Sequence, residues 1–152
     1  MRKMGERMQY GFYGWDNADV QALNTMYRGI RTPLDLYDAL KHIWCAGTCA
    51  PRMRDQWTAE NPTWGQCSIT AFLVQDIFGG QVFGVPLGDG SVHCFNRVGD
   101  CVFDLTSEQF GARKLNYTDC TEQFRDVHFS KAEKKARYNL LREKLLAFCD
   151  QA

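Results

Sequence analysis

The sequence predicts an α+β domain: helices packed on a small antiparallel sheet, with one buried central helix that carries a cysteine. Three observations carry this expectation. Apolar residues recur at helical spacing through the first half of the chain, a strand-rich stretch with a two-residue turn spans roughly residues 81–105, and a long amphipathic segment closes the chain. Helices first, strands in the middle and a helix last give the segregated order of α+β domains.

Taken in order, residues 1–31 form the least defined segment, although DNADVQALNTMY is read as a short helix starting after Asp16 or Asn17, with Val20, Leu23 and Tyr27 turned inward. TPLDLYDALKHIW is a clearer helix. Thr32 can cap it, Pro33 suits its first position, and Leu36, Leu40 and Ile43 share one face. Gly47 and Pro51 break the pattern, and a short helix can follow Pro51. In NPTWGQCSITAFLVQDIFGG, Pro62 and Gly65 mark a loop and Gly79-Gly80 a stop, which leaves about eleven residues of helix. Ile69, Ala71, Phe72, Leu73, Val74, Ile77 and Phe78 surround most of its circumference, as in a helix buried on all sides. Cys67 falls in its first turn.

QVFGVPL reads as a strand, and HCFNRVGDCVFDLT as two strands around Gly99-Asp100, a pair suited to a type II′ hairpin turn. Val98 then faces Cys101, Phe95 faces Asp104 and His93 faces Thr106. His93 and Asp104 become diagonal neighbours on one face, about 7–8 Å apart along the backbone, within reach of a side-chain contact. A loop one residue longer or shorter would put them on opposite faces. Such a pair is either a structural hydrogen bond or a carboxylate that orients an imidazole. Asn96, Cys94 and Cys101 fall on the other face and read as packing residues. SEQFG is a short helix or turn, and KLNYTDCTEQFRDVHF holds one short strand at 127–129. SKAEKKARYNLLREKLLAFC is a helix, with Ser130 and Glu133 as its capping box and Tyr138, Leu141, Leu145 and Phe148 as its inner stripe.

Bulk properties narrow the function. At 152 residues and 45% hydrophobic content, the chain reads as one domain over 1–152 with a real core. Lysine plus arginine balances aspartate plus glutamate, 18 against 18, so no global field argues for nucleic acid or an acidic partner. No segment reads as an export signal or a membrane span. Seven cysteines, an odd number without a CxxC pair, suggest free thiols in a reducing cytoplasm. Oligomeric state is left open.

Cys67 has a specific physical consequence. A helix N-terminus carries roughly half a positive charge and free N–H groups, which favour an anion. A neighbouring imidazolium lowers a thiol pKa further. Nucleophile, base and orienter make the set used in covalent acyl transfer, and the free N–H groups can hold an oxyanion. The plain alternative is that Cys67 is a small buried apolar residue.

GQC opening an apolar helix that ends in QDIFGG, followed by HCFN and DLTSEQF, resembles the YunG-like family of uncharacterised bacterial proteins over about residues 34–110. At one remove, a cysteine on a helix N-terminus, a histidine on a strand and a polar residue on the next strand look like papain-like enzymes, including the NlpC/P60 and transglutaminase-like branches. That resemblance implies a papain-like fold, Cys67 as nucleophile, His93 as general base and Asp104 as orienter. It implies a cysteine hydrolase or acyltransferase acting on an amide or peptide bond of a small-molecule or peptide substrate, with no cofactor. The Cys67 N–H and the Gln66 side chain would be the oxyanion donors. Papain-like enzymes place a glutamine about six residues before the nucleophile, where this chain has Asn61. Trp57 and Trp64 either wall a substrate cleft or pack in the core, and Gln109 can turn back toward the site.

Two other classes compete. A scaffold of this type can serve as a non-catalytic binding module. Cys67, His93, Cys94, Cys101 and Asp104, with Cys45 and Cys49, hold enough donors for zinc, but no CxxC knuckle or HExxH helix organises them. His42 and His128 have no partner at a recognisable spacing.

Overall fold

The computed structural model describes residues 9–151. It is a mixed α+β arrangement: α1 (Pro33–Leu40), α2 (Cys67–Phe78), strands β1 (Gln81–Pro86), β2 (Val92–Val98), β3 (Cys101–Phe103) and β4 (Thr121–Gln123), then α3 (Arg125–His128) and α4 (Ala132–Asp150). Short 3-10 turns cover Trp15–Asn17, Pro51–Gln56 and Ser107–Phe110. The strands form one antiparallel sheet in the order β3-β2-β1-β4. No helix among the described residues is long and apolar enough to cross a membrane.

α2 is the axis of the core. Ile69, Phe72, Leu73, Val74 and Ile77 are fully buried, because β1 and β2 cover one side and α4 another. Its polar positions are tied inward too: Thr70 Oγ1 accepts from Trp44 Nε1 at 3.0 Å, and the Ala71 carbonyl accepts from Asn96 Nδ2 at 2.9 Å. Asn96 is thus the structural residue expected of the face opposite His93. α1 begins as its sequence predicts, with Thr32 and Asp35 exchanging capping-box hydrogen bonds and Pro33 in the first turn. The hairpin register also follows the turn: Val98 pairs with Cys101, and Asn96 with Phe103. Gly99 takes a φ of +59° while Asp100 stays at negative φ, the pattern of a type II′ turn.

Four expectations need correction. The ladder between β2 and β3 stops at Phe103, so neither Asp104 nor Thr106 pairs with β2. Asp104 instead bridges Tyr13 and donates its N–H to the Tyr13 carbonyl at 2.9 Å. Residues 18–27 are not helical: the N–H groups of Leu23 and Asn24 both reach the Ile77 carbonyl, at 2.7 and 3.1 Å, and satisfy the end of α2. Tyr27 is buried, but Leu23 is 77% exposed. The late strand is Thr121–Gln123, paired with β1 opposite the side-chain-free Gly84, whereas Val127 lies on α3 and is 67% exposed. α4 starts without a side-chain cap, because Ser130 Oγ donates to the Val127 carbonyl and Glu133 holds Arg137. Its inner stripe runs Tyr138, Leu141, Leu145 and Cys149, while Phe148 is half-buried against the His42 ring.

The approach to α2 depends on one glycine. Gly65 has a φ of +72°, and a Cβ there would collide with Cys49 Sγ. Replacement by alanine combines left-handed strain with a steric clash in the loop that seats Cys67. Gly65→Ala is therefore expected to lower unfolding free energy by about 1–3 kcal/mol, measured by urea denaturation.

Candidate functional site

The site forms where β3 leaves the sheet. Residues 98 and 101 flank a two-residue turn and so form a hydrogen-bonded pair, as does every second pair outward. Cys94 is next in that series on β2, but β3 has already turned away toward Tyr13, so the Cys94 N–H lacks its ladder partner. The first residue of α2 fills the gap: the Cys67 sulfur meets the Cys94 N–H and thiol and the His93 ring. Sitting in the plane of the sheet, the sulfur touches residues from both faces of β2. Cys94, expected to lie away from the site, is therefore one of its members.

His93 is 1% exposed, and its Nε2 lies 2.6 Å from Asp104 Oδ2. With Nε2 so engaged, Nδ1 is the ring nitrogen left for Cys67. Asp104 is equally buried and accepts three further hydrogen bonds: Tyr117 OH on Oδ2 at 2.8 Å, and Thr106 N–H and Oγ1 on Oδ1 at 3.1 and 3.2 Å. Phe110 sets its ring edge-on to His93 at 4.7 Å, and exposed Tyr13 stacks on Tyr117 at 4.0 Å. The sequence carried no signal for Tyr117, which lies thirteen residues beyond Asp104 in an irregular segment.

The electrostatics follow from these contacts. The Cys94 thiol, then the charge and hydrogen bond of His93, outweigh burial and hold Cys67 well below the ordinary thiol range. The same contact, with burial, pushes Cys94 well above it. Burial disfavours charge on His93, but Asp104 and then Cys67 prevail and raise its pKa to about 10. Burial and then Asp104 push the Tyr117 hydroxyl up, so it stays a donor. Cys67 itself remains partly exposed. No side chain caps the start of α2, so its first N–H groups are left for an anion.

Gln66 differs from its expected position. Its side chain is fully buried and its Nε2 donates to the Cys45 carbonyl at 3.1 Å, which spends it on the turn of Cys45–Thr48; its Oε1 has no partner. Trp64 is half-buried with its indole N–H on the Met53 carbonyl, and Trp57 likewise reaches the Pro62 carbonyl. Asn61 closes a local bridge with Thr58. Gln109 is buried but turns onto the Thr106 carbonyl. Cys49 is a packed thiol whose pKa burial raises. All seven cysteines are free, and among the described residues no three histidine, cysteine or acidic side chains are grouped to hold a metal ion.

On the other flank of Cys67, His128 accepts from Lys134 Nζ on Nδ1 and meets Gln123 Oε1 through Nε2, both at 2.9 Å. Gln123 Nε2 donates to the Thr121 carbonyl, which turns its oxygen toward the ring and makes Nε2 the protonated nitrogen. Burial, then the Lys134 charge, lowers His128 to about 4. Burial also lowers Lys134, against the pull of Cys94 and Cys67.

A family model described as YunG protein matches residues 32–150. The chain is also similar to the "Uncharacterized protein YunG" of Bacillus subtilis (strain 168), with 47% identity over 57 residues. That alignment covers 38% of this chain and 49% of the relative, so it spans about half the relative's length. No solved structure matches. The match across most of the chain shows that it belongs to the YunG family.

Proposed function

We propose that this protein is a cysteine hydrolase or acyltransferase of papain-like architecture, acting on amide or peptide-type bonds through a thioester on Cys67. One observation carries the reading: the thiol of a half-buried cysteine at an uncapped helix start lies against an imidazole whose other nitrogen is 2.6 Å from a buried carboxylate. Between the depressed pKa of Cys67 and about 10 for His93, the pair rests as thiolate and imidazolium.

The thiolate sulfur attacks the acyl carbon, and the charge moves to the carbonyl oxygen. The N–H of Cys67 at the head of α2 is the donor placed for that oxyanion. Collapse breaks the carbon–nitrogen bond, and the His93 proton passes to the departing amine. Neutral His93 then takes a proton from water or an acceptor amine as it attacks the thioester, and the thiolate returns. Asp104 keeps the ring oriented and supports its charged form, and Tyr117, Thr106 and Phe110 hold that pair still. Gln66 is left out of the oxyanion site because its amide is spent on Cys45. The Trp64 ring is the candidate wall for the substrate. A free thiolate suits a reducing compartment such as the cytoplasm.

The pH dependence separates an activated thiol from an ordinary one. At pH 6 an ordinary thiol with pKa about 8.5 is roughly 0.3% ionised. The lowered pKa of Cys67 keeps more of it as thiolate at that pH, so it should react faster with iodoacetamide than an ordinary thiol, a gain partly offset by the weaker nucleophilicity of an acidic thiol. Its rate should fall much less steeply from about pH 9 to 6 than that of Cys120, whose pKa burial raises and which loses about tenfold per unit. His93→Ala should move the Cys67 profile toward that of Cys120, the Cys94 contacts remaining in place. If wild-type Cys67 already tracks Cys120, the nucleophile assignment fails.

Chemistry is read with p-nitrophenyl acetate. Expected are one equivalent of p-nitrophenol in a burst and an acetyl group on Cys67 that hydroxylamine removes. Cys67→Ala should give none, and His93→Ala should slow the burst about a hundredfold or more. An acetyl group found only on lysines, with no burst, would leave a binding module as the better description.

A further inference from the structure

We propose that Lys134 and His128 form an anion subsite beside Cys67, so that the substrate is a carboxylate-bearing amide; the inference rests on the acyl-transfer reading above. Lys134 is partly exposed, and one of its three N–H donors is spent on His128. The ring in turn is fixed by Gln123 and lies 5.1 Å from the buried ring of Phe72 on α2. A cation is thus positioned by neutral acceptors alone, with two donors left over.

Three contacts locate it. His128 ties the lysine to the first half of α2. One turn later on α4, Arg137 donates to the Thr48 carbonyl at 3.1 Å, in the turn that Gln66 also holds. Gln66 immediately precedes Cys67. Lys134 is therefore held through His128 beside Phe72, while Arg137 anchors the same end of α4 to the turn that the residue before Cys67 also holds.

No carboxylate among the described residues forms an ion pair with Lys134. Its neighbour Glu133 puts both oxygens on Arg137, at 2.7 and 3.4 Å. Lys131 and Lys135 on the same end of α4 add positive charge, and Lys135 lies over the Phe129 ring. On the opposite flank, Asp104 is saturated by its own four donors. An entering carboxylate therefore finds an unpaired, pre-positioned ammonium on the Lys134 side, where an interaction at reduced dielectric is stronger than in water. Attraction of this kind raises the local concentration of an anionic reactant.

Two alkylating reagents of similar size test the charge separately from the thiol. Iodoacetamide is neutral and iodoacetate carries a carboxylate, and both are scored at Cys67 by peptide mass in the full chain. The ratio of iodoacetate to iodoacetamide rate should fall about fivefold in Lys134→Gln. Lys134→Arg should retain most of it, and the iodoacetamide rate should change less than about twofold. A fast iodoacetamide reaction whose ratio is unmoved by Lys134→Gln overturns the subsite and leaves the nucleophile standing. Slow reaction with both reagents overturns the nucleophile and the subsite together.

Discussion

A carboxylate sealed inside the protein governs the architecture around it. Burying Asp104 is costly unless its oxygens are hydrogen-bonded, and here four donors from His93, Tyr117 and Thr106 converge on it. Meeting that demand requires β3 to leave β2 and pair with Tyr13, since the backbone must turn before Thr106 can fold back onto its neighbour's side chain. The same departure leaves the Cys94 N–H open, and the head of α2 occupies the vacancy. The burial of Asp104 and the seating of the Cys67 sulfur are thus two results of one backbone event.

The helix start is built to remain unsatisfied. Gln66, the residue that would ordinarily cap it, is drawn into the Cys45–Thr48 turn, and Gly65 allows the chain to pass close to Cys49. Arg137 fastens α4 to that turn from the far side. The surrounding core holds α2 rigidly, because its buried side chains cannot move without opening cavities against β1, β2 and α4.

Charge is divided across the two flanks of the sulfur. On one side His93 and Asp104 form a compensated pair in a nearly dry setting. On the other, burial and the adjacent Lys134 hold His128 neutral. Neutrality of His128 follows from two independent constraints, burial and a neighbouring ammonium. A second imidazolium there would repel Lys134, so the ring acts as a fixed acceptor.

Local rules account for much of the fold. The Thr32 cap of α1, the extent of α2, the type II′ turn and the register it imposes were readable because each depends on residues close in sequence. His93 and Asp104 do meet as the turn suggests, although the bridge to Tyr13 rather than a ladder to β2 carries Asp104 there. Other features needed partners far along the chain. Residues 18–27 give up helix for the Ile77 carbonyl, Thr121–Gln123 becomes a strand only because β1 offers a free edge, and Ser130 is claimed by α3 before it can cap α4. Tyr117, Cys94 and Lys134 join the site for the same reason: their roles arise from distances between elements, which no local spacing encodes. Sequence alone marked Cys67, His93 and Asp104 as members of one cluster; tertiary packing decided which donors complete it, because buried polar groups take whatever partner the assembled core brings within reach.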